Sequence, residues 1–186
     1  MASLASLHWP RLLTAEEFFQ IDFGPDLKAE LDNGLIRMMG GGTRAHSRMQ
    51  ARLLKIFGNR LSGSSCEPHG SDMAIQTREM GVRYPDVTID CGGPEDAAGD
   101  VRLTNPKIVI EILSPSTRDY DLQVKRAEYR DLASVNTIVF IDLEDRTLLV
   151  HQRVEHGWHE LLQQDGDLRL PAIGLTIPHA EIFARD

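Results

Sequence analysis

The chain has 186 residues, 41% hydrophobic and 26% charged, a balance that suits one domain with a core and excludes a disordered tail. Its 20 basic and 28 acidic residues give a net charge of -8, which excludes a basic, non-specific nucleic-acid coat but not an enzyme with a local basic patch. No stretch has the length of a membrane span, and Met1 to Arg11, interrupted by Pro10, lacks the apolar run of a signal peptide. A cytoplasmic location is therefore expected. The two cysteines, Cys66 and Cys91, are far apart without metal-type spacing and are expected to be reduced, unpaired thiols.

Thr14-Ala-Glu-Glu17 is a capping box that opens a short helix through Phe18 and Phe19. Lys28 to Met39 holds the turn signal Asp32-Asn33-Gly34 between two strand-like pieces, which predicts a hairpin. After Gly40-Gly41-Gly42, a long helix is expected from about Thr43 to Leu61. Asp72 to Thr77 and Arg83 to Asp90 read as strands, and Gly92 to Thr104 as a Gly-, Pro- and acid-rich loop. Lys107 to Leu113 is a nearly continuous apolar strand of the kind covered on both faces. A Ser114-Pro-Ser-Thr117 turn leads into a helix from Arg118 to Leu132. Asn136 to Leu143, Thr147 to Arg153 and Trp158 to Gln163 read as an antiparallel meander, and Pro178 to Ala184 as a terminal helix. The order predicts a mixed α/β sheet domain.

In the helix from Thr43, Arg44, Arg48, Arg52 and Lys55 fall in one stripe opposite Met49, Leu53, Leu54, Ile56 and Phe57. An ordinary amphipathic helix accounts for this stripe in full, and a phosphate-tracking, DNA-contacting face is the sharper alternative. His46 projects into the apolar arc, as a core histidine or toward a site at the start of the helix.

The chemistry lies downstream. Pro85-Asp86 ends a strand-like run, and 25 residues later Glu111 sits inside Lys107-Ile-Val-Ile-Glu-Ile-Leu113. Burying a carboxylate among Val and Ile costs several kcal/mol or more unless a partner compensates it, so Glu111 lies at an exposed strand end or holds a cation. Asp121 and Lys125 stand four apart on the next helix, where a plain surface ion pair is the simplest account. A helix running back over the sheet would instead bring Lys125 to Glu111. Asp86 and Glu111 on adjacent strands would repel without a cation, and Mg²⁺ (or Mn²⁺) suits them, since it takes oxygen ligands and usually one or two carboxylates. Glu30, just before the hairpin turn, is a third acid that an ordinary strand glutamate explains equally well.

Pro85-Asp86, the Val-Ile-Glu-Ile-Leu-Ser-Pro-Ser-Thr segment around Glu111, and then Asp121, Lys125 and Tyr129 resemble the Uma-type family of restriction-endonuclease-like proteins, within the PD-(D/E)XK nuclease superfamily. Glu30-Leu-Asp-Asn-Gly34 is similar to that family's Glu-x-x-Asp-Gly hairpin, His46 matches a histidine at the start of its first long helix, and Asn136 to Asp142 is similar to its closing strand. The resemblance implies one restriction-endonuclease-like domain over 1–186, a central mixed sheet flanked by helices. It implies a divalent metal at Asp86, Glu111 and the Ile112 carbonyl, with Glu30 as the additional acid, and His46, Asp121 and Tyr129 are candidate accessory residues. The superfamily's usual Glu-x-Lys would put lysine at Leu113, so Lys125 is the substitute, ahead of Lys107 at the far end of the strand. Asn33 replaces the family's aspartate in a turn that Asn-Gly suits equally.

The expected activity is metal-dependent hydrolysis of DNA phosphodiester bonds by Asp86, Glu111, Lys125 and Glu30, with homodimerisation suited to cutting both strands. A nuclease fold without catalysis, kept for binding or assembly, and a metal-dependent hydrolase of another phosphate ester stand as alternatives.

Overall fold

The computed structural model describes residues 11–25, 27–92 and 101–184. Residues 1–10 and most of the Gly92 to Thr104 loop lie outside them.

Thr14 caps α1 (Ala15–Phe19), its hydroxyl accepting the Glu17 N–H while the Glu17 carboxylate accepts the Thr14 N–H. Strands β1 (Ala29–Asp32) and β2 (Leu35–Met38) pair antiparallel across Asn33-Gly34. Both turn residues have positive φ, 48° and 82°, the geometry for which Asn-Gly is suited. Helix α2 (Arg44–Leu61) buries Met49, Leu53, Ile56, Phe57 and Leu61. Strands β3 (Cys66–Gly70), β4 (Ala74–Arg78), β5 (Gly81–Arg83), β6 (Val87–Cys91), β7 (Arg102–Leu103) and β8 (Pro106–Ile112) follow. The next helix is α3 (Arg118–Tyr120), a π-helical turn at Asp121–Lys125 and α4 (Arg126–Asp131). The chain ends with β9 (Thr137–Asp142), β10 (Thr147–Val154), β11 (Gly157–Gln163), β12 (Leu168–Leu170), β13 (Leu175–Ile177) and α5 (His179–Ile182).

A mixed six-stranded sheet runs β11-β10-β9-β8-β6-β3, and a five-stranded sheet runs β2-β1-β5-β4-β7. In the first, β8 pairs antiparallel with β6 and parallel with β9, so the α3–α4 segment is the crossover that a parallel pair requires. Ile108, Ile110 and Ile112 face the cluster built on α2, whereas Val109 and Leu113 face the cluster that holds Tyr129 of α4. Glu111 has the second parity and lies under the crossover helix. With both faces covered, the near-continuous apolar run of β8 is explained.

Two expectations change. The run from Arg83 to Asp90 is not one strand: it breaks at Tyr84-Pro85-Asp86, where the chain leaves the five-stranded sheet and enters the other. Proline lacks a ladder donor, and here it sits between two sheets. The cysteines are not free thiols. Cys66 and Cys91 face each other across β3 and β6 and form a disulfide. Pro68, His69 and Gly70 give β3 a weak strand signal, so the sequence hid the pairing that joins them.

His151 on β10 is fully buried, with its ring edge-on to Phe140. Burial favours the neutral ring and lowers its pKa, Arg126 and Arg130 act in the same sense, and Glu160 opposes them. The unfolded chain then takes up a proton near pH 6.5 that the folded chain refuses, so stability is lost as pH falls through that value, at most about 1.4 kcal/mol per pH unit. Urea unfolding between pH 7.5 and 5.5 is expected to show a shallower acid decline for His151→Leu than for the parent. Parallel curves would contradict this.

Candidate active site

The two sheets and the crossover helix meet at a cleft of about 1110 Å³. Glu30 reaches it from β1, Asp86 from the β5–β6 break, Glu111 from β8, Asp121 and Lys125 from the π-helical turn, and His46 from the start of α2. Its rim carries Arg37 stacked on Tyr120, the guanidinium 3.5 Å from the ring centre.

Lys125 is the hub. Its buried ammonium donates to Glu111 Oε1 at 3.2 Å and lies 3.0 Å from Glu30 Oε1 and 3.4 Å from Asp121 Oδ1. Burial works against its charge, but Glu111, Glu30 and Asp121 outweigh burial and raise Lys125 above the usual lysine range. The surface ion pair weighed for Asp121 and Lys125 is therefore set aside, since both are buried. Tyr129 donates its hydroxyl to Glu111 Oε1 at 2.6 Å, and Thr117 donates to Asp121 Oδ2 at 2.7 Å. Burial, with Asp86 and Asp121 nearby, pushes Glu111 up to about 8 despite Lys125 and the Tyr129 hydroxyl. Burial likewise raises Tyr129, reinforced by Glu111 and Glu30.

Asp86 is held from behind. Its Oδ2 accepts the Ile112 N–H at 2.7 Å and meets His46 Nε2 at 3.1 Å. The Asp86 contact, opposed by burial, raises the pKa of His46. Gly42 makes room for this ring, since a Cβ there would lie 3.1 Å from His46 Nδ1. Among the described residues, no hydrogen bond reaches Asp86 Oδ1 or Glu111 Oε2.

A second ionic layer went unnoticed in the sequence. Arg83 is fully buried and forks onto Glu128, with Nε to Oε2 at 2.8 Å and Nη2 to Oε1 at 2.7 Å. Its Nη2 also donates to Asp32 at 3.1 Å, its Nη1 lies 3.6 Å from Glu30 Oε2, and Thr77 donates to Glu128 at 2.9 Å. The signals were available: a cation flanked by Val82 and Tyr84 in a strand, and an acid on the helix face that carries Lys125.

The structure does not bring the basic stripe of α2 to the cleft. Arg44, Arg48 and Lys55 are exposed outside it, and Arg52 donates to the Ile182 carbonyl, tying α2 to α5. The far-end position of Lys107 also holds: it is half-buried and does not line the cleft.

Residues 15–180 match the Uma2 family, described as "Putative restriction endonuclease". The chain belongs to the Uma2 family. A relative from Synechocystis sp., Uncharacterized protein slr1290, is 33% identical over 179 residues, covering 95% of this chain and 93% of that protein. A second from the same organism, Uncharacterized protein sll1609, is 27% identical over 134 residues, or 71% and 76% of the two chains. Among solved structures, a putative nuclease belonging to DUF820 from Anabaena variabilis superposes with a TM-score of 0.73 at 17% identity, covering 92% of this chain and 98% of that one. That likeness bears on the fold, and it agrees with the restriction-endonuclease-like architecture expected of a Uma2 protein.

The donor set fits a divalent cation. Two carboxylates with one open oxygen each face a shared cleft, and they are hard oxygen ligands of the kind Mg²⁺ and Mn²⁺ take.

Proposed function

We propose that this protein is a divalent-metal-dependent endonuclease that hydrolyses DNA phosphodiester bonds. One observation carries the reading: Asp86 and Glu111 open onto one cleft, each with one oxygen engaged by the protein and one left open, beside a buried lysine. Asp86, Glu111 and the Ile112 carbonyl would hold Mg²⁺ or Mn²⁺, which supplies a more acidic bound water and offsets charge on the phosphoryl group. Lys125 supports the nucleophilic water or the developing negative charge from the side of Glu111. Glu30 fixes the Lys125 ammonium, Tyr129 orients Glu111, and Asp121 holds the other flank of the amine. His46 steadies Asp86. Arg37 and Tyr120 on the rim, stacked on one another, would meet a phosphate of the DNA backbone through the guanidinium. The outer edge of β11, with Leu161 and Leu162 exposed, suits pairing with a second copy.

A second reading, a catalytically inactive nuclease fold that binds or assembles, draws on the acidic charge and on the α2 stripe lying away from the cleft. Nicking of supercoiled plasmid separates the two. Metal-dependent nicking is expected, reduced at least about 100-fold in Asp86→Ala, Glu111→Ala and Lys125→Met with all three folded. Activity that survives in both carboxylate variants would locate the chemistry elsewhere, and no nicking by the parent would favour the binding protein or another phosphate ester.

A further inference from the structure

This inference rests on the metal-site reading above and concerns how that site is kept ready. Among the described residues, no three His, Cys, Asp or Glu side chains converge tightly enough to hold a metal ion as they stand. Yet Glu30, Glu111 and Asp121 do converge, from β1, β8 and the π-helical turn, and the point they share is filled by the ammonium of Lys125 at 3.0, 3.2 and 3.4 Å. All four groups are buried. Without a cation among them, three carboxylates would have to be neutralised or driven apart.

We propose that Lys125 is the resident cation of the cluster: it keeps the carboxylates assembled before a divalent ion arrives and weakens the binding of that ion once it does. The opposition follows from connectivity. Lys125 holds Oε1 of Glu111, and the open Oε2 of the same carboxylate is the oxygen offered to the metal. A +1 and a +2 charge sharing one carboxylate, with the amine and Glu111 both buried, repel strongly enough to change affinity by orders of magnitude. Glu30 and Asp121 moderate the effect by drawing part of the ammonium's field to themselves. The apoprotein is then stable and the metal is held loosely, completed by waters and by the substrate's own phosphate.

The test needs no DNA. Mn²⁺ binding is measured by calorimetry for the parent, Lys125→Met and Lys125→Arg, beside the thermal midpoint of each with and without Mn²⁺. Lys125→Met is expected to bind Mn²⁺ on the order of 10–100-fold more tightly. Lys125→Arg, which keeps the charge, is expected to stay within about threefold of the parent, and Mn²⁺ is expected to raise the midpoint of Lys125→Met more than that of the parent. A lysine that acts only on water or phosphate would leave Mn²⁺ affinity unchanged, and one that merely orders the ligands would lower it on removal; either result overturns the proposal. If Lys125→Met folds only when Mn²⁺ is present, the ion has replaced the amine and the proposal stands. If it folds under neither condition, Lys125→Gln is judged by the same affinity criterion. Absence of Mn²⁺ binding in the parent and every variant overturns both this proposal and the metal dependence, whereas tighter binding without plasmid nicking overturns the nuclease reading alone.

Discussion

Arg83→Met is expected to destabilise the fold by about 3–5 kcal/mol, read as a lower midpoint in urea unfolding followed by circular dichroism. Arg83 is completely buried, and Glu128 is 1% exposed. Removing the guanidinium strips Glu128 of two of its three hydrogen bonds and leaves it the Thr77 hydroxyl. A buried carboxylate in that state must take up a proton or draw in water. Exposed pairs such as Arg78 with Asp131, 3.1 Å apart, contribute at most about 1 kcal/mol, so the contrast is large. Adding Glu128→Met to Arg83→Met is expected to restore most of the loss, because two apolar side chains can replace a buried pair with little net change. Equal instability in the single and double variants would mean that Arg83 contributes packing rather than charge compensation.

Separating Cys66 from Cys91, by reduction or as Cys66→Ser, is expected to lower stability by about 3.5 kcal/mol, the loop-entropy value for a closure of 25 residues. The bond fastens β3, the outer strand of the six-stranded sheet, to β6. Strand β6 begins one residue after Asp86, so the far end of the ladder that positions this carboxylate is tied at the disulfide. Urea unfolding with and without a phosphine reductant measures the difference, and mass spectrometry after alkylation checks the premise. Prompt alkylation of both cysteines in the native, unreduced protein would remove it.

Helices and strands with strong periodicity were legible in the sequence. The capping box at Thr14, the Asn33-Gly34 hairpin, the apolar run of β8 and the meander of β9 to β11 all lie where their patterns placed them. The convergence of Glu30, Glu111, Asp121, Lys125 and Tyr129 was legible only as a possibility of topology, because spacing along the chain does not reveal which face a crossover helix presents. What escaped notice depends on long-range pairing. Strands β12 and β13 have three residues each, too few to show a period, and β3 is too polar to stand out. The split at Pro85 was written in a single residue, but the sequence could not say that two sheets meet there.

The wide turn at Asp121–Lys125 amounts to one extra residue in a helix, with the Arg126 N–H reaching the Asp121 carbonyl. The extra residue offsets the helix face that follows from the one before, and Lys125 stands at that offset, with its amine against Glu30, Glu111 and Asp121. The strand offers the carboxylate, while its position 113 is occupied by a leucine packed into apolar neighbours. The amine is delivered from a separate element, so a change in the tilt or reach of the helix would move it while leaving the strand that carries Glu111 unaltered.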